Sequence, residues 1–247
     1  MKENLRYKWE RAGNIGIISL NNPPGNLIET PDFINVDEFN GWLTDRTIKG
    51  LIIRGAGRHF SAGADLNQLR KLAANKRLLA SKISKGKSLI CSIRESEVPV
   101  VAAINGACFG AGFEIALACH IRICDENSMF AFPEILHDLI PGLGGSSMLT
   151  DLVGEGKSLE IILSGNIVDA QKALELKIAD FVVPAKETEK FAIEFLRNLT
   201  HDRDPEVIRS VMKSIHNSKS MSFEKALEEE TKMFCRLASD DHYRPDS

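Results

Sequence analysis

Two glutamates stand at predicted helix starts, where a carboxylate could act on a bound water. Glu114 follows a glycine-rich turn that comes directly after the apolar run 100–104. Glu134 follows Pro133, which suits the first position of a helix because it has no N–H to leave unpaired. Two carboxylates can share one water, one taking its proton while the other orients it. The pair indicates acid–base chemistry, although Glu114 would also suit an exposed helix start, where it complements the helix dipole.

Two glycine-rich segments each follow a predicted buried strand and precede a predicted helix. The first is 55–66, after the candidate buried strand 51–54, and the second is 105–112. Glycine permits positive φ and lets backbone approach a ligand, and a helix start adds unpaired N–H groups. Such segments can hold an anion or a developing oxyanion. The alternative is that the glycines only form tight turns.

Three motifs together resemble the crotonase (enoyl-CoA hydratase/isomerase) superfamily over about residues 15–239. They are F-S-A-G-A-D-L at 60–66, N-G-x-x-x-G-x-G-x-E at 105–114, and F-x-x-P-E-x-x-x-x-x-I-P-G-x-G-G at 130–145. The resemblance implies an α/β fold with a crotonase-like ββα spiral core at 1–185 and a helical C-terminal trimerisation region at 186–247. The repeat of strand, glycine loop and helix at 51–66 and 100–115 agrees with stacked ββα units.

The resemblance also implies the roles of individual residues. The backbone N–H groups of Ala64 and Ala111 would form an oxyanion hole, and Glu114 and Glu134 would be the acids that hydratases use. The substrate-binding residues would be Leu27, Arg58, Ala62, Asp65, Leu66, Gly110, Pro133 and Gly142. Asp65 also suits the cap of the helix that follows it. The implied reaction is the reversible addition of water to an α,β-unsaturated acyl thioester.

Three other functions stay open from the sequence. One is an enoyl-CoA isomerase, and another is a dehydratase that acts on an acyl chain bound to a carrier protein. The third is a non-catalytic paralogue that binds acyl-CoA. The presence of both Glu114 and Glu134 favours the hydratase, because family members that only shift a double bond often keep just the second glutamate. Fold resemblance alone does not decide among them.

Composition and charge limit which partners the protein is expected to bind and in which compartment it is expected to work. The formal net charge is −3, so neither nucleic acid nor an anionic membrane is the expected partner. No apolar run approaches the roughly 20 residues that span a bilayer, and the polar start 1–4 lacks a signal-peptide core, so we expect a cytoplasmic protein. Five cysteines, mostly in apolar surroundings, indicate reduced thiols rather than disulfides.

Assembly and cofactors are also implied by the family. We expect a homotrimer or hexamer, and no cofactor other than the coenzyme A carried by the substrate. No metal site is expected, because Cys119 and His120 have no second ligand pair nearby at zinc-like spacing. The final helix of many family members is not expected after Asp240.

The spacing of apolar residues also predicts secondary structure. It predicts one helical stretch over 66–93 and a series of helices after Gly154.

Overall fold

The computed structural model describes residues 6–239, and its core is built on two sheets. In the described range the larger sheet has six strands. In sheet order they are β1 (Tyr7–Ala12), β2 (Ile15–Leu20), β3 (Gly50–Gly55), β4 (Val100–Ile104), β6 (Ile121–Asp125) and β9 (Phe181–Val183). β1 and β2 form an antiparallel hairpin, and the other neighbours are parallel. β4 is an unbroken apolar run because both faces of a parallel sheet are covered.

A smaller sheet carries the segment that leads to Glu114. Its strands are β5 (Ala107–Phe109), β7 (Met129–Ala131) and β8 (Val168–Asp169). β5 pairs in parallel with β7, and β8 runs antiparallel to β7. The glycine-rich sequence predicts a loop over 105–112, and this prediction is wrong for β5. A three-residue strand inside a glycine-rich segment has no periodicity of its own, because its pairing partner lies elsewhere in the chain.

The helices surround these sheets. They are α1 (Val36–Thr44), α2 (Leu66–Ala73), α3 (Lys76–Arg94), α4 (Ala111–Ala118), α5 (Gly145–Val153), α6 (Glu155–Ser164), α7 (Ala170–Glu175), α8 (Thr188–Thr200), α9 (Pro205–Ser220) and α10 (Phe223–Ser239). The single stretch predicted over 66–93 is two helices, because the Asn75 side chain accepts a hydrogen bond from the Leu78 N–H and starts a new helix. α4 begins at Ala111, one residue before the predicted Gly112.

The two faces of the larger sheet pack against different helices. One face shares an apolar core with Leu89 and Ile93 of α3 and with Phe113 and Ile115 of α4. The other face packs against α8 through residues that include Leu196. α9 and α10 pack against each other, and α10 has no buried residue. The fold class is the predicted mixture of sheet and helix with a helical C-terminal region, whereas the boundary at 185 stays a prediction.

Two predictions concern residues outside the described range. The absence of a signal-peptide core was inferred from 1–4, and the absence of a further helix was inferred from the sequence after Asp240.

Between residues 6 and 239, no helix has both the length and the apolar character needed to cross a membrane. The same residues contain no group of three or more His, Cys, Asp or Glu side chains arranged to hold a metal ion.

Candidate active site

The Ala64 N–H is left free by the way its segment pairs with Ile28. The Ile28 N–H donates to the Gly63 carbonyl at 2.9 Å, and the Asp65 N–H donates to the Ile28 carbonyl at 2.9 Å. The carbonyl and the N–H of a trans peptide point in opposite directions, so the Ala64 N–H points away from Ile28. Among residues 6–239 it has no hydrogen-bond partner.

The Ala111 N–H is free for a related reason. It is the first residue of α4, and the preceding Gly110 carbonyl accepts the Glu114 N–H at 2.9 Å. The Ala111 N–H of the same peptide therefore points out of the N-terminal end of the helix. No acceptor for it lies in the described part of the chain. This end of α4 also carries the positive end of the helix dipole.

The two free amides belong to neighbouring segments. Ser61 and Cys108 pair as an isolated parallel bridge, and Ala64 and Ala111 each stand three residues further along. The Phe109 N–H donates to the Ser61 carbonyl at 2.9 Å, and the Ser61 N–H donates to the Ala107 carbonyl at 3.1 Å. The segments therefore run side by side in the same direction.

Glu114 lies in the first turn of α4 and is 1% exposed. Its Oε1 accepts hydrogen bonds from the N–H groups of Leu143 at 2.6 Å and Gly145 at 2.8 Å. A β-carbon on Gly145 would stand 2.9 Å from Glu114 Cγ and 2.6 Å from Cζ of Phe132, so Gly145 packs against both side chains. The pKa of Glu114 is raised to about 7, chiefly by burial and to a smaller extent by nearby Glu134, while the two N–H bonds oppose the shift.

Glu134 lies on a short 3₁₀ helix, Pro133–His137, and Pro133 occupies its start as predicted. A β-carbon on Gly110 would stand 2.8 Å from Glu134 Oε1, so the carboxylate lies over the Gly110 backbone. Its Oε2 is buried and has no hydrogen-bond partner within the described residues. Burial raises the pKa of Glu134. Glu134 thus lies at the start of α4, close enough for its charge to act on Glu114 in the first turn of that helix.

A cluster of aromatic side chains packs near Glu114. Phe113, Phe130 and Phe132 are fully buried. The ring of Phe113 lies 4.6 Å from that of Phe132 and 5.4 Å from that of Phe130, measured between centroids. Phe132 and Glu114 both pack against Gly145, so this cluster forms part of the apolar core beside the acid.

The other predicted site residues divide into two groups. Ala62, Asp65 and Leu66 flank the Ala64 amide: the Ala62 N–H donates to the Gly25 carbonyl at 2.8 Å, and Asp65 caps α2 through the N–H groups of Asn67 and Gln68. Leu66 is exposed at the start of that helix.

Three more predicted residues lie around these segments. Leu27 borders a cavity of about 110 Å³ between Asn22 and Phe33. Gly142 faces Ile83 of α3 at 3.6 Å, measured from an added β-carbon. The Arg58 side chain is exposed and forms no ion pair with any described residue, so its predicted role in binding substrate stays a prediction.

Similarity to known proteins agrees with this geometry. A family model described as enoyl-CoA hydratase/isomerase matches residues 10–246. The chain belongs to this family. The resemblance proposed from the motifs is thereby confirmed, together with the prediction of an enzyme of the enoyl-CoA hydratase type.

Individual relatives cover most of the chain. A probable enoyl-CoA hydratase of Bacillus subtilis is 34% identical, over 89% of this chain and 85% of the relative. A 2,3-dehydroadipyl-CoA hydratase of Escherichia coli is 29% identical, over 93% of this chain and 89% of the relative. The crystal structure of an enoyl-CoA hydratase from Polaromonas is 27% identical with a TM-score of 0.87, over 94% of this chain and 91% of that one.

Sequence reasoning missed two residues that organise the site. Asn26 is 1% exposed and has φ of 49°, which is unusual for a residue other than glycine. Ser61 is fully buried inside the F-S-A-G-A-D-L motif. The position of Asn26 directly after Pro-Pro-Gly was the one available signal, since asparagine tolerates left-handed backbone in turns.

Proposed function

We propose that this enzyme adds water reversibly across the double bond of an α,β-unsaturated acyl-CoA thioester. One observation carries the proposal: the buried carboxylate of Glu114 and the half-buried carboxylate of Glu134 both lie at the start of α4, where the Ala111 N–H has no acceptor among residues 6–239. The names of the B. subtilis and E. coli relatives refer to CoA thioesters, which supports coenzyme A over a carrier protein as the group attached to the acyl chain.

The amides stabilise the charge that develops on the substrate. Attack of water at the β-carbon moves electrons from the double bond toward the thioester oxygen, which becomes enolate-like. The N–H groups of Ala64 and Ala111 donate to that oxygen. Removal of one such preorganised donor typically lowers the rate about 10²- to 10³-fold. Neither side chain takes part, so the small residues serve to leave room for the thioester.

The two acids handle the protons. Two N–H groups hold one oxygen of Glu114, and its pKa of about 7 leaves a large share of the group as carboxylate at neutral pH. Its other oxygen takes a proton from the attacking water. Glu134 has an oxygen with no partner among the described residues and a pKa that burial raises, so it delivers a proton to the α-carbon. One water is thus added: its hydroxyl oxygen bonds to the β-carbon, and no electrons are exchanged with another reactant.

A substrate panel tests this proposal. The purified protein is mixed with crotonyl-CoA and with longer straight-chain trans-2-enoyl-CoA thioesters, and loss of the conjugated thioester absorbance is followed. We expect loss of absorbance and formation of the 3-hydroxyacyl-CoA. Absence of product at every chain length, or migration of the double bond from a 3-enoyl-CoA without any hydration, would contradict the hydratase assignment.

Assembly, compartment and cofactor belong to the same proposal. A homotrimer or hexamer is supported by apolar side chains exposed on α9 and α10, among them Ile215, Leu227 and Phe234. Light scattering on the protein eluting from a sizing column measures the mass of the assembly. We further propose that the enzyme works in the cytoplasm and uses no cofactor beyond the coenzyme A of its substrate, and activity after exhaustive dialysis against a chelator tests the second point.

A further inference from the structure

Ser61 lies on the segment that carries the Ala64 amide and pairs directly with the segment that carries the Ala111 amide. Its main chain pairs with β5 through the Ala107 carbonyl at 3.1 Å and the Phe109 N–H at 2.9 Å. A β-carbon on Gly112 would stand 2.6 Å from Ser61 Cβ and 2.9 Å from its Oγ, so the serine side chain packs directly against the first turn of α4. Ser61 therefore touches the helix that carries the Ala111 amide.

The Ser61 hydroxyl also holds the segment that carries the other amide. It accepts a hydrogen bond from the Gly63 N–H at 3.2 Å and donates one to the Asn26 carbonyl at 2.8 Å. The Gly63 carbonyl in turn accepts the Ile28 N–H, which is the bond that directs the Ala64 N–H away from Ile28. The hydroxyl thus fixes the peptide next to the one that carries the Ala64 N–H.

Asn26 completes this connection from the other side. Its Nδ2 donates to the carbonyls of Ala56 at 2.9 Å and His59 at 2.7 Å, and its Oδ1 accepts the Asn22 N–H at 3.1 Å. The left-handed backbone of Asn26 aims its own carbonyl at the Ser61 hydroxyl. Side chain and main chain of one buried residue therefore hold the loop 56–61 against the segment 22–28.

We propose that Ser61, supported by Asn26, is a positioning residue that fixes the Ala64 and Ala111 amides relative to each other. This inference rests on the proposed function, since it assigns those amides to the thioester oxygen. Ser61 does not touch the substrate. It acts because a donor must lie within hydrogen-bond distance of the oxyanion at the moment of reaction, and a misplacement of about 1 Å can lower the rate about 10²-fold.

A matched serine provides the control for a Ser61→Ala variant. Ser96 is also buried, its hydroxyl donates to the Val98 carbonyl at 2.9 Å, and it accepts the Val98 N–H at 3.3 Å. Ser96→Ala therefore removes the same two kinds of hydrogen bond at a place away from the amides. Any difference between the two alanine variants reports on the position of Ser61 rather than on the loss of a buried hydroxyl.

Two readouts separate positioning from simple structural support. The first is the hydration of crotonyl-CoA, for which Ser61→Ala is expected to lower kcat about 10- to 100-fold with KM within about twofold. The second is the absorption band of bound 4-dimethylaminocinnamoyl-CoA, which shifts to longer wavelength when its thioester oxygen is polarised. We expect a smaller shift in Ser61→Ala than in the wild type, and wild-type values of both readouts in Ser96→Ala.

The outcomes distinguish this inference from the proposed function. Wild-type kcat and an unchanged band in Ser61→Ala would overturn the inference while leaving the hydratase intact. If the wild-type protein shifts the band but hydrates no substrate, the hydratase assignment is wrong. The band shift in Ser61→Ala alone then tests the inference about Ser61. If Ser61→Ala does not fold, Asn26→Gly takes its place, because glycine readily adopts the left-handed backbone of Asn26. The control for this variant is Lys177→Gly, since Lys177 is an exposed residue with φ of 61°.

Discussion

The carboxylate of Glu134 lies directly over the Cα of Gly110. A β-carbon at Gly110 would stand 2.8 Å from Glu134 Oε1, which is closer than van der Waals contact allows. Gly110 also has φ of 49° and ψ of −123°, a combination that side chains disfavour. The same residue thus follows β5, precedes the Ala111 amide and leaves space for an acid that comes from 24 residues further along the chain.

Replacement of Gly110 by alanine should displace Glu134. We expect hydration of crotonyl-CoA to fall at least about tenfold, because the acid moves from the reacting carbon. We also expect about 1–3 kcal/mol lower free energy of unfolding from the strained backbone. Steady-state kinetics and urea denaturation measure the two effects.

Gly13→Ala is the matched control for the backbone strain. Gly13 has φ of 71°, and nothing lies within 4 Å of an added β-carbon in the turn between β1 and β2. Gly13→Ala should lose stability but keep the wild-type turnover of the folded protein. Equal turnover in the Gly110 and Gly13 variants would show that the contact with Glu134 has no catalytic importance.

Replacement of Glu114 by glutamine should stabilise the protein at neutral and higher pH. Burial raises the pKa of Glu114 from 4.5 to about 7, so folding favours the protonated form. Its contribution to stability is complete below about pH 4.5 and is lost as the pH rises through 7. The Glu114→Gln variant has no such loss, and its amide oxygen can still accept the N–H groups of Leu143 and Gly145. Its free energy of unfolding relative to wild type should rise by about 3 kcal/mol between these pH values.

Urea denaturation at about pH 5 and about pH 8 checks this sign. The control is Glu160→Gln, whose side chain is exposed on α6 and pairs with Lys157. A surface ion pair of this kind contributes between about 0 and 1 kcal/mol. A stability difference for Glu114→Gln that stays flat with pH would mean that this carboxyl is not held in a desolvated environment.

The cysteines should fall into two reactivity classes. Cys91 and Cys235 are exposed, whereas Cys108, Cys119 and Cys124 are buried. Burial raises the pKa of Cys119 and of Cys124 to about 12, so almost no thiolate exists at neutral pH. A thiol reagent in excess should label Cys91 and Cys235 quickly in the native protein and all five only after denaturation. Mass spectrometry of the labelled peptides identifies them, and rapid labelling of Cys119 would contradict the described core.

The local parts of the site could be predicted from the sequence. The strand candidates at β3 and β4, each followed by glycines and a helical pattern, give strand, turn and helix, and these signals are local in the chain. Glu114 in the first turn of α4 and Pro133 at the start of the 3₁₀ helix were predicted in this way. The family motifs then paired the two glutamates, which local patterns could not have done.

The contacts between distant segments could not be predicted. The N–H groups that hold Glu114 come from Leu143 and Gly145, 29 and 31 residues away in the chain. Asn26 reaches carbonyls 30 and 33 residues away. Such bonds depend on how the loops pack in three dimensions, and they cannot be predicted from residue type or from spacing along the chain. For the same reason β5 went unnoticed, because its strand character comes only from pairing with β7.

The central claim is that two glutamates work on one water at an enoyl thioester. Its most direct test is kcat for crotonyl-CoA hydration in the wild type, Glu114→Gln, Glu134→Gln and the surface control Glu160→Gln. Loss of a positioned acid or base typically costs about 10²- to 10⁴-fold, so we predict a loss of at least about 10²-fold in each site variant and wild-type turnover in the control. Wild-type turnover in either Glu114→Gln or Glu134→Gln, with the protein folded, would contradict the account.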